Sequence, residues 1–139
     1  MAKQEVKVKW LENMAFKAEV NGHEIILDAA AGVGGENRGP RPKPFMLTAL
    51  AGCTGMDVVS ILKKMRVELE DFNVIVEGDI TEEHPKQFFK MNVIYEFKGK
   101  DLSLEKLEKA VSLSEERYCG VSALYKKVIE VTSEIKIIK

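Results

Sequence analysis

Hydrophobic and polar positions change period several times along this chain, and the changes mark out its elements. Residues 4–11 (QEVKVKWL) alternate apolar and polar, the signature of a half-buried strand. Ala15–Val20 alternates again, and Asn21-Gly22 between it and His23–Leu27 is a tight hairpin signal. The chain is therefore expected to open, over residues 1–28, as an antiparallel meander of three strands.

A different period begins at Phe45. FMLTALAGCTGMDVVSILKKMR, Phe45–Arg66, reads as one long helix, and with Pro44 in its first turn the helical segment is 44–66. Its first half is apolar on every side. A polar stripe at helical spacing, Asp57, Ser60, Lys63 and Lys64, appears only later. A helix apolar all round must be covered all round, which makes this the expected central core helix. Ala49, Ala51, Gly52 and Gly55 are small, so either a facing helix or a substrate pocket is expected close to Cys53.

The remaining segment, 70–139, returns to shorter periods. Asp71–Asp79 and Phe88–Phe97 read as β-branched and aromatic strands joined by a hairpin loop, Thr81–Lys86. Ser103 is a helix cap before a second helix with Leu104, Leu107, Val111 and Leu113 on its apolar face. Gly120–Val128 reads as a third, short helix with Val121, Leu124, Tyr125 and Val128 inward, and Val131–Ile138 as a closing strand. The order predicts one α+β domain over 1–139, with antiparallel sheets around a long central helix and no βαβ rhythm. So apolar a helix asks for more cover than one short sheet gives, and an obligate homodimer is expected to supply the rest.

Composition narrows the classes. The chain has 139 residues with net charge −1, 45% hydrophobic and 31% charged residues. That fits one globular domain and gives no electrostatic reason to expect nucleic acid. MAKQEVKV lacks the apolar core of an export signal, and the apolar run inside Phe45–Met56 is short for a bilayer. A cytoplasmic protein with no membrane contact is expected, its two cysteines reduced at rest. His23 and His84 fall in apparent turns, without cysteines at metal spacing; no metal and no cofactor are expected.

The loop 29–43 holds Gly32, Gly34, Gly35 and Gly39, and its prolines keep the entry to the helix extended. Neither a dinucleotide fingerprint nor a Gly-Lys-Ser/Thr follows, so a nucleotide site is not expected. No Ser/His/Asp set or carboxylate pair is evident. Cys53 and Cys119 remain. Cys119 stands at the start of a short helix after Arg117 and Tyr118, a setting that favours thiolate; Cys53, in apolar surroundings with Asp57 one turn on, is expected to have a raised pKa. A lone cysteine in an apolar helix is usually a small core residue, and that reading stands beside the chemical one for both.

Two stretches carry a resemblance. Pro44-Phe45-Met46-Leu47-Thr48-Ala49-Leu50-Ala51-Gly52-Cys53 and Glu116-Arg117-Tyr118-Cys119-Gly120-Val121-Ser122 resemble the two cysteine motifs of the OsmC/Ohr family, the osmotically inducible and organic hydroperoxide resistance proteins. Asp57–Lys64 looks like the less characterised OsmC-like branch. The resemblance implies an α+β fold in an intertwined homodimer and cysteine-based reduction of organic hydroperoxides. Cys53 would attack the peroxide and become a sulfenic acid, Cys119 would resolve it as a disulfide, and a dithiol, lipoyl-type or thioredoxin-like, would reduce that disulfide. The family's glutamate upstream of the first cysteine is not matched here, where Lys43-Pro44 stands. Its N-terminal arginine has no counterpart before Arg38. Arg38 and Arg41, or Lys43, are the candidate replacements for that cation. Phe45, Met46, Met56 and Tyr118 are candidate pocket residues, suited to an organic hydroperoxide or another small apolar ligand. The alternative is a binding protein for a small apolar or thiol-containing ligand with inert cysteines.

Overall fold

A computed structural model describes residues 2–139. Two compact units divide it, one reaching Met46 and one from Leu47 to Lys139.

The N-terminal unit is the expected meander: β1 (Lys7–Glu12), β2 (Ala15–Val20) and β3 (His23–Leu27), antiparallel in the order β1-β2-β3. Asn21 and Gly22 both have positive φ, 50° and 81°, as a two-residue turn matching the strand twist requires. The strand expected over 4–11 begins at Lys7, and it is not half-buried: Val8 and Trp10 are exposed. Their cross-strand partners Ala18 and Phe16 extend the same apolar face. Within its own unit that face borders an open hollow of about 630 Å³, lined also by Met14, Leu27 and Val33.

The loop that follows folds around Asp28. Its carboxylate accepts the backbone N–H groups of Ala29 at 2.7 Å and of Glu36 and Arg38 at 3.1 Å. Burial raises the pKa of this carboxyl, but those N–H bonds, with the Arg38 charge, reverse the effect and hold it below the ordinary range. Gly35 and Gly39 are required because a Cβ there would collide with the backbones of Ala29 and Ile26. These glycines serve a close loop packing.

The second unit is a sheet with helices on one face. Helix α1 is Phe45–Lys64; then come β4 (Asp71–Ile80), β5 (Phe88–Lys98), α2 (Leu104–Leu113), α3 (Gly120–Lys126) and β6 (Glu130–Ile137). Strand β5 is central, and Met91, Val93, Tyr95 and Phe97, two residues apart, all point into the core. Leu50, Val58 and Leu62 of α1 and Leu107, Ala110 and Val111 of α2 complete that core. Ser103 caps α2, its Oγ accepting the Lys106 N–H at 3.3 Å.

The α+β class holds, with three corrections. First, β6 pairs with β5 in parallel, not antiparallel. The chain leaves β5 at one end and returns through α2 and α3 to its start, a crossover long enough for parallel pairing. Second, α1 ends at Lys64, short of the expected Arg66; as expected of one sheet, this chain covers it along one stripe only, Leu50, Thr54, Val58 and Leu62. Met56 and Val59 remain exposed because a single sheet shields one arc of a helix. By length and composition all of Phe45–Lys64 could cross a membrane, unlike the shorter Phe45–Met56 run, but here its buried stripe lies in the sheet core. Third, α3 ends at Lys126, and of its expected inward residues Leu124 and Val128 are exposed while Val121 and Tyr125 pack on the core.

Candidate functional site

The site is assembled from α1, β5 and the link between α2 and α3. Cys53 and Asp57 stand one turn apart on α1, which puts them on the same helix face. After α2 the backbone widens into a π-helical turn, Ser114–Tyr118, of a kind often found at functional sites. It closes with the Cys119 N–H donating to the Ser114 carbonyl at 2.7 Å, and Cys119 then caps α3, its Sγ accepting the Ser122 N–H at 3.3 Å.

The result is a close trio. The sulfurs of Cys53 and Cys119 and a carboxylate oxygen of Asp57 all lie within 4.8 Å of one another. Both cysteines are free; Cys53 is partly exposed and Cys119 is buried. A disulfide sulfur pair sits at about 2.05 Å, so closure asks for a movement on the scale of a side-chain rotation. Of the trio, Asp57 borders an open hollow of about 540 Å³, with Ser60, Ile61, Lys64, Met65, Leu113 and Tyr118 as its other lining residues.

Cys119 does not have the activated character expected from its helix start. Burial pushes its thiol up to about 11, the hydrogen bond and negative charge of Cys53 add to that, and the N–H groups of Ser122 and Val121 offset only part. Arg117 is exposed to water, and α3 has only seven residues. The expected effect of a helix N-terminus and a neighbouring cation is overridden by loss of solvent.

A buried polar chain supports the trio. Ser114 Oγ donates to Asp57 Oδ2 at 3.0 Å and lies 2.7 Å from Thr54 Oγ1. Thr54 Oγ1 is 2.9 Å from the Tyr95 hydroxyl, which donates to Glu115 Oε2 at 2.6 Å. Glu115 also pairs with Lys126 at 3.5 Å. Thr54, Tyr95 and Ser114 are fully buried. Tyr95 is pushed far above the ordinary phenol value by burial and by the Glu115 carboxylate. Two carboxylates are thus joined through three hydroxyls. The sequence signal for this chain is faint: a threonine beside Cys53 and a tyrosine in an apolar strand.

The other candidate residues are described within their own units. Met56 borders a separate groove of about 600 Å³ with Gly52, Gly55, Val59, Phe72 and Val74. Gly55 backs onto Val74 of β4, and Gly52 has open space before it, so a sheet and a groove account for these small residues. Phe45 and Met46 begin α1 and belong to the N-terminal unit. Arg38 makes an exposed 3.5 Å pair with Glu12, and Arg41 donates to the Gly39 carbonyl at 2.8 Å and to Asn37 Oδ1 at 2.7 Å. Lys43 lies exposed in the same loop and His84 in the loop between β4 and β5, while His23, expected in a turn, is the exposed first residue of β3.

A two-cysteine site on a long helix and a following helix cap, in this α+β frame, defines a class. The family model described as OsmC-like protein matches residues 34–134, and the chain belongs to that family. It is 33% identical over 135 residues to Protein YhfA of Escherichia coli K12, covering 96% of this chain and 98% of that one. The crystal structure of a hypothetical protein from Aquifex aeolicus VF5 is similar over the whole of both chains, with 31% identity and a TM-score of 0.83. The organic hydroperoxide resistance protein OhrB of Bacillus subtilis shares the fold at a TM-score of 0.69 and 17% identity, over 97% of this chain and 98% of that one.

Proposed function

We propose that this chain is a cytoplasmic, homodimeric peroxidase that reduces organic hydroperoxides with its own two thiols. The observation that carries the reading is the sulfur pair: one partly exposed, one buried, within 4.8 Å. In the first step the Cys53 thiolate attacks the terminal peroxide oxygen. The O–O bond breaks, the alkoxide takes a proton and leaves as alcohol, and Cys53 becomes a sulfenic acid. In the second step Cys119 attacks that sulfur, a disulfide forms and water leaves. A dithiol, lipoyl-type or thioredoxin-like, then restores both thiols by exchange.

Asp57 has a carboxylate oxygen within reach of both sulfurs, and Ser114 donates to that carboxylate. We assign it the shuttling of the Cys53 proton to the leaving alkoxide. The cation that favours the Cys53 thiolate is proposed to be Arg38 or Arg41. Arg38 is the cheaper to recruit, because an exposed ion pair such as the one with Glu12 is worth about 0–1 kcal/mol. Tyr118, Ile61 and Met65 supply an apolar border suited to an organic group.

Steady-state consumption of tert-butyl hydroperoxide with dihydrolipoamide tests the proposal. Wild type turns over. Cys53→Ser abolishes consumption, while Cys119→Ser consumes one equivalent and stalls. Equal consumption by the Cys53→Ser variant, or none by reduced wild type, contradicts it and leaves a ligand-binding role in its place.

A further inference from the structure

We infer that the reduced trio Cys53, Asp57 and Cys119 is also a binding site for a soft divalent cation of the zinc class, and that joining the two sulfurs empties it. The donors are of the right kind: thiolate and carboxylate are both zinc ligands, and three protein ligands leave a fourth position to water or an exogenous thiol. The scaffold also suits a metal. Cys53 and Asp57 are one turn apart on α1, the spacing that aims two donors at one point, and the fold brings Cys119 to that point from the cap of α3.

Distances fit a small closure. Zinc bonds of about 2.3 Å to sulfur and about 2.0–2.2 Å to oxygen put tetrahedral donor atoms roughly 3.5–3.8 Å apart. The three donor atoms already lie within 4.8 Å, so shifts of about an ångström seat the ion. Two donors are held from behind as metal ligands commonly are: Ser114 Oγ on Asp57, and the Ser122 N–H on the Cys119 sulfur. Two thiolates and one carboxylate carry three negative charges, and a divalent ion offsets two of them. Zinc is held by thiolates, so binding releases the thiol protons.

Oxidation reverses it. A hydroperoxide and two protons convert the zinc dithiolate to the disulfide, free zinc, alcohol and water. The disulfide leaves Asp57 as the single strong donor of the three, so a bound ion competes with peroxide for the same thiols.

The test uses Co2+ alone on phosphine-reduced, metal-stripped full-length protein without oxygen, followed by Zn2+. One equivalent per chain is expected, with a thiolate-to-cobalt charge-transfer band and tetrahedral ligand-field bands, all bleached by one equivalent of Zn2+. Asp57→Asn keeps the band but weakens binding at least about tenfold. Cys53→Ser, its fold checked by circular dichroism, loses the band. Wild type oxidised by diamide, with the loss of two hydrogens verified by mass, binds none. Absence of the charge-transfer band in folded, reduced wild type overturns the inference, as does equal affinity in Asp57→Asn. No peroxide is present during the titration, so failure of the metal site and failure of the peroxidase reading show separately.

Discussion

Cys119 caps α3 with its own sulfur, which accepts the backbone N–H of Ser122 at 3.3 Å. The same bond fixes where that sulfur points, toward Cys53 and Asp57. Cys119→Ser keeps a capping acceptor and is expected to hold stability close to wild type. Cys119→Ala loses it and is expected to cost about 1–2 kcal/mol, read as a lower urea midpoint at unchanged slope.

The raised thiol of Cys119 gives a sign to the alkaline limb of stability. Its pKa moves from 9.0 to about 11 on folding. Between those values the folded chain keeps a proton that the unfolded chain has released. Stability therefore falls as pH rises from about 9 and levels off beyond about 11. Urea midpoints across that window are expected to show the fall in wild type and a shallower one in Cys119→Ser. Parallel profiles would remove the burial argument.

Thr54 is the middle hydroxyl of the buried chain from Asp57 to Glu115. Thr54→Val keeps its shape and takes away its partnering of Tyr95 and Ser114. Both remaining hydroxyls stay buried with one fewer partner, and a loss of about 1–3 kcal/mol is expected by chemical denaturation. A neutral result would mean the chain positions nothing.

Helix α1 shows its uncovered side at Met56, 77% exposed, and Val59, 48% exposed. A homodimer that buries this face is expected from sedimentation at micromolar concentration. Val59→Asp is expected to shift the equilibrium to monomer and to lower stability, since an unpaired carboxylate would have to be desolvated at the contact. A wild-type monomer would contradict the dimer.

Local signals made much of this fold legible. Asn21-Gly22 forces positive φ at both turn positions, the apolar run from Phe45 makes α1, and the cysteine motifs mark both sulfurs. Effects set by distant residues were not legible. Parallel pairing of β6 depends on how α2 and α3 carry the chain back, which strand periodicity does not encode. Thr54 meets Tyr95 and Ser114 across 41 and 60 residues, so no local pattern shows the polar chain. Arg117 beside Cys119 suggested a thiolate, but burial of the sulfur sets its behaviour instead. Asp57 was visible one turn beyond Cys53, yet its place between both sulfurs needed the third dimension.

The most direct measurement is the mass of the reduced protein within seconds of adding one equivalent of an organic hydroperoxide, followed by peptide mapping. Loss of two hydrogens with a Cys53–Cys119 cross-link is the expected result. Unchanged thiols with hydroperoxide left in solution would contradict the peroxidase reading.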